Sequence, residues 1–161
     1  MRTVGIIAEY NPFHTGHEYH IRKAKEAAGA DYAVVVMSPD FVQRGEPAVF
    51  DKYTRTRMAL SGGADLVIEL PACYATGSAE YFAEGGISLL HNLGCVDHLS
   101  FGCENDTPDL FHSLADILLQ EPEYYRQKLQ DYLKKGETFP KARELALLEW
   151  LSSSDICNAN D

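Results

Sequence analysis

Short apolar runs alternate with amphipathic stretches along the first hundred residues. Four of these runs predict strands, at Val4 to Ala8, Ala33 to Met37, Asp65 to Leu70 and, more weakly, His98 to Phe101. Helix-like spacing predicts helices over residues 16–28, 51–61 and 78–92, with glycines near their ends. Strands that alternate with helices predict an α/β fold, here a Rossmann-like doubly wound parallel sheet.

The pattern changes after Asp106. From there the chain has helical spacing, with breaks near Pro122 and between Gly136 and Pro140. We therefore expect residues 1–106 to form the core of an α/β domain and residues 107–161 to form a helical extension of the same domain. The polar ending SSSDICNAND contains no strand pattern. It suggests that the chain stops before the last strand of a larger protein.

Composition narrows the class of protein. The 161 residues are 45% hydrophobic and 24% charged, which is typical of one soluble globular domain. No apolar run approaches the ~20 residues of a membrane span, and the N-terminus does not resemble a signal peptide, so we expect a cytoplasmic protein without a membrane partner. A net charge of −10 disfavours a broad basic surface for nucleic acid, although not a local one. The four cysteines form no CxxC pair, and we expect reduced, mostly buried thiols.

The string NPFHTGHEYH follows the first predicted strand. Ligands of doubly wound sheets bind beyond the carboxyl ends of the strands, so this loop lies where a ligand is expected. Asn11 precedes Pro12 and is therefore biased towards an extended or turn conformation. Gly16 permits a sharp turn or a close approach of the backbone to a ligand.

Three histidines surround the start of the helix that follows. His14 is expected just outside its first turn, His17 just inside and His20 one turn further on. A helix N-terminus attracts anions, and imidazoles there can donate hydrogen bonds to phosphoryl oxygens. Positioning and charge stabilisation are most of what phosphoryl or nucleotidyl transfer requires. A zinc site is disfavoured because the motif has no HExxH and no acid or thiol ligand at a matching spacing.

These residues carry a resemblance to a known family. NPFHTGH resembles the His-x-Gly-His (HIGH) signature of the nucleotidyltransferase superfamily. The strings GIIAEYNPFHTGHEYH, VVVMSPDFVQRGEPAVFDKYTRTRMAL, GADLVIELP and FGCEND are similar, in that order, to the N-terminal part of the bacterial tRNA(Met) cytidine acetate ligase family. The resemblance covers essentially the whole chain, and it implies a sheet of the nucleotidyltransferase type.

The resemblance also implies a two-step reaction. ATP and acetate would give acetyladenylate and pyrophosphate, and the acetyl group would then pass to N4 of the wobble cytidine of elongator tRNA(Met). The expected cofactors are ATP and Mg²⁺, and the expected partners are acetate and elongator tRNA(Met). The tRNA would bind mainly through the part of the protein that follows this chain.

The family's ATP site, carried over by resemblance, assigns His14 and His17 to the phosphates and to catalysis. The nucleotide-binding residues would be Ile7, Ala8, Glu9, Tyr10, Asn11, Pro12, Phe13, His14, Thr15, Gly16, His17, His20, Gly102 and Asn160. A second phosphate-binding signature of the family, a Ser-rich string followed by Arg, has no match in this chain. We therefore expect the chain by itself to bind ATP weakly and to catalyse poorly or not at all.

Charged residues elsewhere supply further candidates. Arg44, after the second strand, could reach the triphosphate or the acceptor RNA. Lys52, Arg55 and Arg57, on the next helix, could attract tRNA phosphates or simply form a solvated helix face. Glu69, Glu84 and Glu104 could hold Mg²⁺ through water, but their spacing favours none of them, and the metal ligands stay unassigned.

Two other functions are consistent with the same residues. The chain could be a cytidylyl- or adenylyltransferase that acts on a phosphorylated small molecule, which would need a second cationic cradle. It could also be a nucleotide- or RNA-binding domain without catalytic activity.

Overall fold

The computed structural model describes residues 1–103 and 108–158. The chain divides into two compact units, Met1–Cys103 and Glu104–Asp161. No helix of the described residues is long and apolar enough to cross a membrane. Glu104 and Asn160, two of the candidate site residues, lie outside the described part.

The first unit contains the alternating strands and helices that the sequence predicts. In chain order they are β1 (Thr3–Ala8), α1 (Thr15–Ala28), β2 (Tyr32–Met37), α2 (Lys52–Ser61), β3 (Leu66–Glu69), α3 (Ala72–Ala75), α4 (Ala79–Asn92) and β4 (His98–Ser100). Each predicted bound either coincides with the observed one or differs from it by one residue. Asp51 and Ser78, predicted as the first residues of helices, are the N-caps of α2 and α4. Sequence analysis missed α3, because four residues show no helical period.

All four strands are parallel, and they lie in the order β3-β2-β1-β4. The chain runs from β1 outward through β2 to β3 and then returns to place β4 on the other side of β1. Strand order therefore reverses between β1 and β4, which is where a doubly wound sheet binds its ligand. The predicted fold class is confirmed.

Hydrophobic clusters cover both faces of the sheet. Val35 and Met37 of β2 pack with residues of α1 and α2, whereas Val34 and Val36 pack with residues of α3 and α4. The continuous apolar run of β2 is thus explained by burial on both faces. Helix α4 lies so close to β1 that a Cβ on Gly86 would be 2.7 Å from Ile7 Cδ1.

A buried guanidinium joins the ends of β1 and β2 to the segment that follows β2. Arg55 of α2 is 0% exposed. Its Nη1 donates to the carbonyl oxygens of Glu9 (2.7 Å) and Ser38 (3.1 Å), its Nε donates to that of Phe50 (2.9 Å), and its Nη2 donates to that of Pro39. Buried carbonyl groups need such partners, because leaving them unsatisfied is costly. We call this set of four hydrogen bonds the Arg55 clasp.

The second unit contains helices α5 (Pro108–Gln120), α6 (Glu123–Lys134) and α7 (Phe139–Asn158). Ile117, Tyr125 and Ala146 are buried together in its core. The predicted break near Pro122 is confirmed. The second break falls at residues 135–138, and Pro140 lies in the first turn of α7, where its missing N–H costs no helical hydrogen bond.

The cysteines differ from the sequence prediction. Cys73, Cys95 and Cys103 are all exposed. The expectation of mostly buried thiols is therefore wrong for these three, because none of them belongs to the buried clusters of the sheet.

We predict that Arg55→Ala lowers the free energy of unfolding by about 3 kcal/mol, because it leaves several buried carbonyl groups without donors. Arg57→Ala is the matched control on the same helix, since the Arg57 side chain is exposed and donates to Thr54 Oγ1. We expect it to change stability by less than about 0.5 kcal/mol. Urea unfolding followed by circular dichroism compares the two; equal losses would contradict a structural role for the clasp.

Candidate functional site

A crevice of about 430 Å³ opens at the carboxyl ends of β1 and β4, where strand order reverses. Its lining residues are Ile7, Ala8, Glu9, Tyr10, Asn11, Pro12, His14, His17, His20, Phe101 and Gly102. The loop after β1 and the first turns of α1 supply most of this wall. The residues after β4 supply the rest.

His14 and His17 form a reciprocal cap at the start of α1. The Gly16 N–H donates to His14 Nδ1 (3.1 Å), and the His14 N–H donates to His17 Nδ1 (3.2 Å). The two rings are stacked, with centroids 3.7 Å apart. Because each Nδ1 accepts a hydrogen bond, a neutral imidazole carries its proton on Nε2. Both histidines can therefore offer an Nε2–H donor to a ligand in the crevice.

The glycine of the His-x-Gly-His motif is required by this cap. A Cβ on Gly16 would be 2.9 Å from His14 Cε1 and 3.0 Å from His14 Nδ1. Any side chain there would displace the His14 ring. The motif's spacing is thus explained by the capping geometry as well as by the chemistry of its histidines.

The N-terminus of α1 differs from the expected one in one respect. The Gly16 N–H is used by His14, and the N–H groups of His17 and Glu18 donate to the His14 carbonyl oxygen (2.9 and 3.2 Å). An anion at this helix end would therefore meet chiefly the Nε2–H donors and the helix dipole.

The surroundings favour the neutral form of two of the histidines. Burial lowers the pKa of His17, and the nearby His14 and His20 lower that pKa further. Burial also lowers the pKa of His20. His20 Nε2 lies 3.0 Å from Ser100 Oγ, so a side-chain hydrogen bond connects α1 with the end of β4. Ser100 directly precedes Phe101 and Gly102, so the bond ties α1 to the strand that leads into the other part of the crevice wall.

Two aromatic residues support the histidines from the core side. Tyr10 is 2% exposed and has a φ of 49°, and its ring lies 4.8 Å from that of His17 and 4.9 Å from that of Phe13. Phe13 packs against the hydrophobic cluster beneath α1 and α2, so close to Gly62 that a Cβ there would be 2.4 Å from Phe13 Cζ. Phe13, Thr15 and Gly16, all expected at the nucleotide, are not among the residues that line the crevice.

Polar side chains of the loop after β1 hold the segment that follows β2. Glu9 Oε1 accepts from the Gln43 N–H (2.9 Å), and Asn11 Oδ1 accepts from the Val49 N–H (2.7 Å). Arg44 is exposed in this segment, at a φ of 139°. The crevice wall and the 38–51 segment are thereby tied together at several points.

The basic candidates on α2 have structural partners. Lys52 Nζ donates to Glu69 Oε1 and Oε2 (2.9 and 2.7 Å), and this pairing raises the Lys52 pKa. The Arg55 guanidinium faces the interior rather than solvent. The expectation that Arg55 presents charge to RNA is therefore wrong, because four carbonyl oxygens already bind its donors. Lys52 remains partly accessible.

The metal candidates are dispersed. Glu69 pairs with Lys52, Glu84 lies exposed on α4 outside the crevice lining, and Glu104 is outside the described residues. No group of three or more His, Cys, Asp or Glu side chains in the described part is arranged to hold a metal ion.

Phe101 lines the crevice although the sequence analysis did not select it. Its ring is 64% exposed. The available signal was its position directly before Gly102, at the end of the weak fourth strand. An aromatic residue at a strand end is too common a pattern to indicate a binding site by itself.

Comparison with known proteins shows which sequences this chain resembles. The family model described as HIGH Nucleotidyl Transferase matches residues 1–161. A tRNA(Met) cytidine acetate ligase of Thermoanaerobacter sp. strain X514 is 54% identical over 97% of this chain and 39% of its own length. The enzyme of that name from Clostridium perfringens is 50% identical over 96% of this chain and 39% of its own length. The chain thus spans about two fifths of these relatives.

A solved structure shows the same fold. The crystal structure of Thermotoga maritima TmcAL bound with α-thio ATP superposes with a TM-score of 0.91 and 43% sequence identity. The match covers 96% of this chain and 37% of that one.

We predict that the stability of the protein falls as the pH is lowered from about 7 to 5. The unfolded chain binds protons at His17 and His20 near the ordinary histidine pKa of about 6.5, whereas the folded chain resists protonation down to a lower pH. His17→Gln should give a shallower dependence. Urea midpoints across this pH range provide the measurement, and identical slopes for the two proteins would contradict the prediction.

We also predict that Gly102→Ala weakens ATP binding by about tenfold, or roughly 1.4 kcal/mol, without lowering stability. Among the described residues other than its chain neighbours, none has an atom within 4 Å of a Cβ on Gly102, so the fold should tolerate it while a nucleotide close to the backbone should not. His98→Gln, at an exposed position of β4, is the control. Calorimetric titration with ATP tests both variants; unchanged affinity for Gly102→Ala would place the nucleotide away from this residue.

Proposed function

We propose that this chain, which belongs to the HIGH nucleotidyl transferase family, binds ATP in its crevice. There it activates acetate as acetyladenylate for the acetylation of tRNA. The single observation that carries the proposal is the reciprocal His14–His17 cap. It fixes both Nδ1 atoms as acceptors and leaves two Nε2–H donors at a helix N-terminus in the crevice. The ATP analogue bound by the Thermotoga maritima relative supports the choice of nucleotide.

The first step requires no protein nucleophile. A carboxylate oxygen of acetate attacks the α-phosphorus of ATP, and the bond from that phosphorus to the oxygen bridging to the β-phosphate breaks. The bonding electron pair leaves with pyrophosphate, and no proton is transferred. Donors that stabilise the negative charge developing on the phosphoryl oxygens accelerate such a reaction. His14 and His17 supply these donors, and the crevice holds the two reactants together.

The second step transfers the acetyl group to RNA. N4 of the wobble cytidine of elongator tRNA(Met) attacks the acetyl carbonyl carbon, the C–O bond to AMP breaks with its electron pair leaving on AMP, and the proton that N4 loses passes to solvent. The names of the relatives support this acceptor. The net charge of −10 disfavours this chain as the main RNA surface, so we assign most tRNA contacts to the part of these enzymes that it does not span. A tRNA acceptor places the reaction in the cytoplasm.

Mg²⁺ is expected to arrive with ATP. This ion usually keeps several waters and binds substrate phosphates with one or two carboxylates rather than a full protein cage. The dispersed carboxylates of the described residues are consistent with that mode.

The alternative acceptor, a phosphorylated small molecule, has weaker support. Such a substrate needs a second cationic cradle near the crevice. Among the described basic candidates, Arg55 is buried, and Glu69 offsets the charge of Lys52 and leaves it one further donor. Arg44 and Arg57 are exposed, but neither lines the crevice. A single such donor suits a small carboxylate better than a second phosphate.

We predict acetate-dependent exchange of labelled pyrophosphate into ATP by the complete gene product. His17→Ala should slow this exchange by roughly 100-fold or more while weakening ATP binding much less, because its donor acts mainly on the charge of the transition state. His91→Ala, on the exposed surface of α4, is the control. A nucleotide-binding module would show no exchange at all. An enzyme that uses a phosphorylated acceptor would show no exchange with acetate and would need its own acceptor for exchange to occur.

A further inference from the structure

A second, smaller cavity lies at the same edge of the sheet as the crevice, at the ends of β2 and β3. Its volume is about 210 Å³. The strand ends supply Met37, Ser38, Val67 and Glu69, and the first turns of α2 supply the rest of the wall. The function proposed above assigns no role to this cavity.

The wall of the cavity is largely apolar. Met37 is 2% exposed, and Val67 is partly buried against the cluster beneath α1 and α2. Thr56 and Tyr53 of α2 complete the wall. These side chains enclose an apolar space in which a short hydrocarbon group of a ligand can bind.

Two residues of the cavity wall carry polar groups with capacity for a further hydrogen bond. Ser38 is 0% exposed, and its Oγ has no hydrogen-bond partner among the described residues. A buried hydroxyl without a partner is costly, which indicates that a ligand or a water binds it. Lys52 Nζ uses two of its three N–H donors on Glu69, so one donor is left for a further acceptor.

The cavity also adjoins the crevice through the backbone. The Ser38 N–H donates to the Ala8 carbonyl oxygen (3.1 Å), and Ala8 lines the crevice. Neighbouring strands of a sheet are about 4.8 Å apart. A ligand at Ser38 would therefore lie beside a nucleotide bound at the end of β1.

We propose that this cavity binds the carboxylic acid substrate, with its methyl group against Met37 and Val67 and its carboxylate held by Ser38 Oγ–H and the Lys52 ammonium. The inference rests on the proposed function, since it names the site of the acid that ATP activates. The charge of Glu69 offsets that of Lys52, so acetate binds weakly. The size of the apolar wall then selects acetate over longer acids.

Substitution of the apolar wall tests this assignment through substrate choice. Val67→Ala enlarges the cavity, and in the complete gene product it should raise the ratio of kcat/KM for propionate to that for acetate by roughly tenfold or more in pyrophosphate exchange. Val96→Ala is the matched control: Val96 is also partly buried, but it packs on the opposite face of the sheet. It should leave the ratio unchanged.

Substitution of the polar group tests carboxylate binding. Ser38→Ala should raise the KM for acetate several-fold and leave the affinity for ATP unchanged. A magnetisation transfer from the methyl group of ¹³C-acetate to the ε-methyl group of Met37 in the unsubstituted protein provides a readout that does not depend on any variant folding.

The outcomes separate the two proposals. Suppose that exchange requires acetate, the propionate ratio and the acetate KM stay unchanged in Val67→Ala and Ser38→Ala, and Met37 receives no transfer. The cavity then holds water only, and this inference is overturned while the proposed function stands. If no carboxylate supports exchange in the unsubstituted protein, the proposed function fails first, and this inference fails with it.

Discussion

The geometry of the site depends on one buried guanidinium. Arg55 is enclosed, no described carboxylate forms an ion pair with it, and its charge is solvated chiefly by the carbonyl dipoles that end β1 and β2 and those of the segment after β2. In an interior of low dielectric constant such a charge is tolerated only when its donors are satisfied. The clasp sets where the backbone of Glu9 leaves the sheet. The clasp therefore determines the position of the loop from Glu9 to His14, and with it the shape of both cavities at this edge of the sheet.

Each histidine of the cap uses one ring nitrogen to hold the helix end and leaves the other for ligand binding. Each Nδ1 accepts a backbone hydrogen bond at the start of α1, and each Nε2 is left for a ligand. An aspartate would cap the helix equally well, but an ionised carboxylate only accepts; a serine has a donor, but on the same oxygen atom that caps the helix. Imidazole does both. Tyr10 and Phe13 buttress the rings from the core, so the donors are held in place before the nucleotide arrives.

The sequence predicts the sheet well because its strands and helices have strong periods and clear caps. The crevice could also be predicted, since the loop after the first parallel strand must lie at the carboxyl edge of the sheet, where ligands bind. Contacts between residues that are far apart in sequence could not be predicted. Arg55 and Arg57 lie two positions apart on one helix. The neighbouring sequence does not indicate that Arg55 faces carbonyl oxygens and Arg57 faces solvent. Phe13 likewise reads as part of a ligand loop, yet its ring packs on Gly62 in the core.

The position of β4 has a consequence for how the protein folds. β4 lies beside β1, and the Thr3 N–H donates to Asp97 Oδ2 (2.8 Å) across 94 residues of sequence. Contacts of such long range carry a loop-closure cost and form slowly. During synthesis, the histidine loop leaves the ribosome well before the segment that closes the crevice does. The order of translation thus separates the synthesis of the phosphate donors from that of the strand needed to complete the crevice.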